Sequence, residues 1–207
     1  IPKGLVGSEM CIRDSLPPAP DGTPASKEFL LDMPNKCAFP NVLYTWNYAY
    51  KHTNFEGEKP TTIEDFFDTE KFPGRRSIHK DPMTNLEMAL VADGVPTDKV
   101  YDVLNTSKGV KRAIKKIEKL CNDPNGGCVF WSAGAQPPDL VMSGEVIMST
   151  GYNGRFFNAA VGEGAPITQV YDGMAFDYVF FVIVKGGPNT ENAVSYTHLR
   201  AHETLRY

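Results

Sequence analysis

CVFWSAGAQPPDLVMSGEVIMSTGYNG, residues 128–154, holds two short apolar runs, CVFW and EVIMST, of strand composition. Between them a Gly-Ala-Gln-Pro-Pro turn opens a short helical segment that closes at Ser143-Gly144. The pattern is strand, helix, strand. Each strand runs directly into small and polar residues, Ser132 to Gln136 in one case and Thr150 to Gly154 in the other. In an open α/β sheet such carboxyl ends are where ligands sit.

Upstream, NVLYTWNYAY (41–50) is a β-branched and aromatic run of strand type. Thr61-Thr62-Ile63-Glu64 has the capping-box pattern and opens the short helix TIEDFF. After the turn at 72–74, RRSIHK reads as a strand that exits at Asp81-Pro82. MTNLEMALVADGV has helical periodicity through Met83, Leu86, Leu90 and Val91 and closes at Gly94. Two helices follow, one capped by Thr97 and one starting near Thr106 or Ser107. Downstream, GRFFNAAVGEG reads as a helix, PITQVY as a strand and FDYVFFVIVK as a long strand. Strands alternating with helices predict a doubly wound α/β domain.

The 207 residues are 42% hydrophobic with a formal net charge of −4, enough apolar material for one large core or two small ones. That balance carries no nucleic-acid footprint. The basic run KGVKRAIKKIEKL spaces Val110, Ala113, Ile114, Ile117 and Leu120 as a helix does, so its charges read as a solvated face. No run of eighteen apolar residues is present, and Ile1 to Ser15 lacks the apolar core of a signal peptide. GSEMCIRDS near the start and SYTHLRAHETLRY at the end resemble translated sequencing-adapter read-through. Residues 1–15 and 195–207 are therefore expected to be an artefactual leader and tail, and the pair His198 and His202 is not read as a metal site.

With Cys11 in that leader, Cys37, Cys121 and Cys128 remain. The loop NDPNGG can fold tightly enough to bring Cys121 and Cys128 together. A disulfide, implying an oxidising compartment, and two free thiols are both open readings. Two thiolates are too few for a structural metal site, and no cofactor is called for.

There is no G-x-S-x-G elbow, P-loop, H-E-x-x-H or strand-borne G-x-G-x-x-G. His52 and His79 are the histidines left as bases, and both read as surface residues. What stands out is aromatic and carboxylate material near strand ends: Tyr44, Trp46, Trp131, Tyr152, Asp81 and Asp177. Aromatic faces hold cations through the ring quadrupole, and carboxylates pair with ammonium groups. Ser132 and Gln136, leading into a helix N-terminus, suit a polar or anionic end of a ligand.

These residues, with TTIEDFFDTEKFPG, NLEMALVADGV, TSKGVKRAIKKIEKL, WSAGAQPPDLVMSGEVIMSTGYNGR and FVIVKGGPNTENA, resemble the extracellular solute-binding proteins of ABC transporters, in the spermidine/putrescine-type branch. The resemblance spans about residues 24–194. It implies a periplasmic-binding-protein-like (type II) α/β fold of two lobes. On that reading 16–43 ends lobe one, 44–175 forms lobe two and 176–194 is the return crossing strand. It also implies a bacterial, periplasmic or lipid-anchored monomer that performs no chemistry and hands its solute to an inner-membrane ABC permease. Tyr152, with Asn153, matches the aromatic-Asn-Gly motif that packs on a polyamine chain, and Asp81 stands where the family has an amine-gripping acid. Thr84 replaces the second acid. The acid of the return strand aligns with Val179, while Asp177 lies two residues earlier on the same strand face. With fewer carboxylates, an amino-acid-like compound, a monoamine or another organic cation is as plausible a ligand as a polyamine. The alternative is a transferase or hydrolase on the same architecture using Asp81 and a histidine.

Overall fold

The computed structural model describes residues 21–24, 38–182, 188–189, 191–193 and 195–196. Cys11, Cys37, His198 and His202 lie outside them. The main elements run β1 (Ala38–Lys51), α1 (Ile63–Phe67), β2 (Arg76–His79), α2 (Asn85–Val91), α3 (Val100–Leu104), α4 (Ser107–Cys121), β3 (Cys128–Trp131), α5 (Gln136–Met142), β4 (Met148–Tyr152), α6 (Asn153–Phe157) and β5 (Ile167–Val182). By its internal contacts the chain divides into two units, residues 44–177 and residues 1–43 with 178–207. In the latter the described residues are chiefly the outer parts of β1 and β5, with the Phe181 and Tyr196 rings 5.8 Å apart.

The strands form one sheet in the order β3-β2-β4-β1-β5. β2 is parallel to both β3 and β4, and β1 is antiparallel to β4. The strand-helix-strand unit of residues 128–154 therefore straddles β2. Neighbouring residues of β1 feed different cores: Tyr48 and Tyr50 pack with Ile63, Phe66, Ile78 and Met88, whereas Ala49 packs with Val141, Val146 and Phe156. Since successive side chains of a strand point to opposite faces, the sheet is covered on both sides, as a doubly wound α/β arrangement requires.

Several local expectations shift. The capping box is one residue later than the Thr61–Glu64 pattern suggested: Thr62 accepts from Asp65 N, and the Asp65 carboxylate accepts from Thr62 N. Asp172 of β5 adds a further acceptor for Ile63 N at 2.8 Å. Thr97 caps nothing, because it lies inside a 3₁₀ turn that leads into α3. Thr106 does cap α4, accepting from Gly109 N at 3.0 Å. Met83 stays outside α2, and the second strand of the opening stretch begins at Met148 instead of Glu145. ITQVY and the described part of FDYVFFVIVK fall in one strand, Ile167–Val182, within which Gly173 has φ 65°. A Cβ there would sit 2.6 Å from Ile63 Cβ, so glycine supplies both the left-handed conformation and the space.

Cys121 and Cys128 are joined in a disulfide, Cα to Cα 4.7 Å, that ties the end of α4 to the start of β3. The intervening loop is wired to the turn before β2: Asn125 O accepts from Gly74 N at 2.7 Å, and Gly127 O accepts from Arg76 N at 2.8 Å. With a sequence separation of 7, loop-closure entropy gives a contribution of about 2–3 kcal/mol. Replacing both cysteines by serine is expected to lower the unfolding free energy by that amount. Urea midpoints measured with and without reductant check this: reductant should shift the wild type and leave the double variant unmoved.

Candidate functional site

Two register pairs assemble the site. In the parallel pair β2–β3, His79 stands opposite Trp131; in the antiparallel pair β1–β4, Trp46 stands opposite Tyr152. Because β2, β3 and β4 are parallel, their carboxyl ends leave the sheet along one edge, and β1, running the other way, brings Trp46 to the same edge. The rings then meet. Trp46 lies 4.4 Å from Tyr152, 5.3 Å from His79 and 5.6 Å from Trp131, stacked on the last at 27°. His79 lies 4.4 Å from Trp131, and Tyr44 touches Tyr152 edge-on at 5.7 Å.

The cluster has a covered floor and an accessible rim. Trp131 and Trp46 are buried at 0% and 2% exposure, while Tyr44, His79 and Tyr152 are half-buried. Burial, and secondarily the neighbouring Tyr44 phenol, raises the Tyr152 phenol above its usual range, so it remains a neutral O–H donor. Trp131 Nε1 and Thr45 Oγ1 are buried without a hydrogen-bond partner among the described residues. A Cβ on Gly134 would lie 3.1 Å from the Tyr152 ring; the turn before α5 packs on that ring because residue 134 carries no side chain.

The loop between β2 and α2 holds the acidic side of the rim. His79 Nδ1 accepts from Asp81 N at 3.3 Å, and Asp81 Oδ1 accepts from Met83 N at 3.1 Å. Asn85 Nδ2 donates to the His79 and Asp81 carbonyls at 2.7 and 2.8 Å. Asp81 is exposed. Thr84 is buried and adopts φ 68°, the one positive-φ non-glycine among the described residues. Its hydroxyl donates to Met83 O at 2.6 Å. Non-glycine residues in that conformation cost of order 1–3 kcal/mol and gather at ligand sites.

The other expected site residues fall into two groups. Asn153 Oδ1 accepts from Thr45 N at 3.1 Å, fastening β1 to the end of β4, so it positions the rings. Gln136 Oε1 accepts from both Ser132 N and Ala133 N, at 2.9 and 2.8 Å. Those two N–H groups are thus partnered within the chain, at the start of a helix of 7 residues. Asp177 stands on β5, outside the two register pairs. After burial and Glu87, its charge contributes to the raised phenol of Tyr101 on α3.

Sequence reasoning weighed His79 as a base and set it aside as a surface residue; it is half-buried. The reading as a surface histidine is corrected by its ring contacts with both tryptophans. The signal was its place as the last residue of a strand parallel to CVFW. Among the described residues no three His, Cys, Asp or Glu side chains are grouped to hold a metal ion, and no helix is long and apolar enough to cross a membrane.

A family model described as bacterial extracellular solute-binding protein matches residues 15–200. The gamma-aminobutyric acid-binding protein of Pseudomonas aeruginosa is 37% identical over 188 residues, 91% of this chain and 51% of the relative. The chain thus spans about half the length of that curated relative. An ABC transporter substrate-binding protein from Bradyrhizobium japonicum superposes with a TM-score of 0.69 at 35% identity, over 80% of this chain and 49% of the other. The PBP MotA from A. tumefaciens B6, in complex with glucopine, superposes with a TM-score of 0.69 at 28% identity, over 84% of this chain and 59% of the other.

Proposed function

The chain belongs to the bacterial extracellular solute-binding proteins, and from that premise we propose that it captures a small amino-acid-like solute carrying an ammonium group and presents it to an ABC permease outside the cytoplasmic membrane. The observation that carries this reading is the convergence of Trp46, His79, Trp131 and Tyr152, with Tyr44, at one sheet edge. Aromatic faces that are shielded from water hold a cation with about 2 kcal/mol or more per good contact, and Asp81 supplies the counter-charge. The family is one of binding proteins, and an enzyme built on Asp81 and a histidine is set aside on that ground.

An amino-acid-like solute is favoured over a polyamine for two reasons. A polyamine needs a second carboxylate, and the Thr84 that replaces the family's second acid is buried with its hydroxyl turned to Met83 O. A relative of 37% identity is named for binding gamma-aminobutyric acid, a compound with a single ammonium. Asp177 is the acid a polyamine reading would have to recruit.

Titration calorimetry on the full-length gene product, with γ-aminobutyrate, butane-1,4-diamine, choline and alanine, tests the reading. Tyr152→Ala is expected to weaken the bound amine by about 30-fold, corresponding to about 2 kcal/mol, while Tyr152→Phe stays within about threefold because the ring is retained. Absence of binding by every member of the panel overturns the reading, as does a Tyr152→Ala variant of unchanged affinity.

A further inference from the structure

Asp81, the carboxylate assigned above to the ammonium, sits on the loop between β2 and α2, and the hydrogen bonds of that loop differ in strength with their burial. The bonds from Asp81 N to His79 Nδ1 and from Met83 N to Asp81 Oδ1 lie on the exposed side, where water competes for the same groups and a hydrogen bond adds little net stability. The inner bonds come from one residue. Asn85, 7% exposed at the first position of α2, donates twice from Nδ2, to His79 O at 2.7 Å and to Asp81 O at 2.8 Å. A carboxamide nitrogen has two hydrogens, so its donor capacity is filled. On the strand side, Lys80 N donates to Trp131 O at 2.8 Å and extends the contact between β2 and β3. Asn85 therefore clasps the loop by the carbonyls of the two residues flanking Lys80 and joins it to α2.

Thr84 shows what the clasp restrains. Its φ of 68° is a conformation that β-branched residues avoid, and such a backbone persists only where its surroundings over-determine it. Removing the Asn85 amide leaves two carbonyls without their donor. The loop finds them a partner by turning outward to water, which also releases Thr84, and that movement carries the Asp81 carboxylate with it.

We propose that Asn85 is a positioning residue for amine binding: buried at the start of α2, it holds the Asp81 carboxylate at the rim of the ring cluster through its two bonds to His79 O and Asp81 O. The inference rests on the assignment of the ammonium to Asp81. Its physical content is preorganisation. A loop already in the binding conformation lets the ion pair form without the cost of ordering it, whereas an unclasped loop lowers affinity by the fraction of time it spends out of place.

The test is a double-mutant cycle on the full-length protein, read by titration calorimetry with γ-aminobutyrate. Asn85→Ala is expected to weaken binding about tenfold, the size of one or two lost hydrogen bonds. Asp81→Asn removes the charge that the clasp places; in that background Asn85→Ala should cost less than about twofold, because no ion pair is left to misplace. In the ligand-free protein, hydrogen–deuterium exchange of the peptide spanning 79–85 should speed up about tenfold in Asn85→Ala, while that of β4 stays as in the wild type. Equal losses in both backgrounds would make Asn85 a residue of general stability and overturn the inference. An Asn85→Ala variant with wild-type affinity, or with unchanged exchange at 79–85, overturns it too, while leaving amine binding intact. A wild type whose affinity ignores Asp81→Asn removes the assignment of the ammonium to Asp81, and the positioning role with it; a wild type that binds no amine removes the proposed function itself, whatever the exchange shows. If Asn85→Ala fails to fold, as judged by circular dichroism, Asn85→Ser, whose hydroxyl serves one of the two carbonyls, carries the same comparison.

Discussion

Replacing Arg76 by methionine is expected to lower the unfolding free energy by about 3–5 kcal/mol, from the loss of the shared donor of three backbone carbonyls. Arg76 is 0% exposed at the start of β2. Its guanidinium is spent on three backbone carbonyls: Nε donates to Phe66 O at 3.0 Å, Nη2 to Asp68 O at 3.0 Å, and Nη1 to Gly74 O. Phe66 lies in the last turn of α1 and Asp68 just past its end, so the side chain caps that helix end from the core side, with the Phe66 bond buried and the other two part-buried. Burial pushes the guanidinium down to about 10, offset in part by Asp68 and Asp123, so it stays charged at neutral pH. Methionine approximates its length and apolar stem but leaves three acceptors unmatched, each costing about 1–3 kcal/mol. Urea denaturation checks the size of the loss. Arg76→Lys, with a single ammonium in place of the planar fork, should recover only part of it. A methionine variant within 1 kcal/mol of wild type would show that these carbonyls find other donors.

The second large effect is expected for Trp46→Ala. Trp46 is 2% exposed and touches three other rings of the cluster, so truncation should cost about 3–5 kcal/mol, as large aromatic-to-alanine changes in cores do. Under the proposed function it should also abolish measurable solute binding, because Tyr152 loses the surface that orients it at 4.4 Å. Trp46→Phe keeps an aromatic floor and should retain binding with a loss of about tenfold or less, in line with an aromatic contact of about 0.5–1.5 kcal/mol. Binding measured at low temperature, where circular dichroism shows the variant still folded, separates the two effects. Alanine at 46 with wild-type affinity would remove this residue from the site.

Much of the architecture was legible because it depends on local chemistry. Period-2 and period-3.6 patterns marked β1, β2, β3 and α4 with small boundary shifts, since a strand or amphipathic helix must bury one face wherever it ends up. The caps were less legible. Two adjacent threonines followed by Glu64 and Asp65 offer two overlapping capping boxes, and Asp172, distant in sequence, supplies the outside acceptor on Ile63 N beside the box at Thr62. Thr97 lost its capping role to the 3₁₀ turn it sits in.

For the site, residue types in sequence determined that aromatic rings and a carboxylate stand at strand ends, while the bond between Cys121 and Cys128, an open reading in sequence, was decided by the structure. Alternation along a strand says which face a side chain takes, but not which strand lies beside it. Only the tertiary structure decided that β2 enters between β3 and β4, placing His79 opposite Trp131, and that β1 runs antiparallel, placing Trp46 opposite Tyr152. It decided also that Gln136 Oε1 accepts from Ser132 N and Ala133 N. Those outcomes depend on pairings and hydrogen bonds among neighbours that no local pattern encodes.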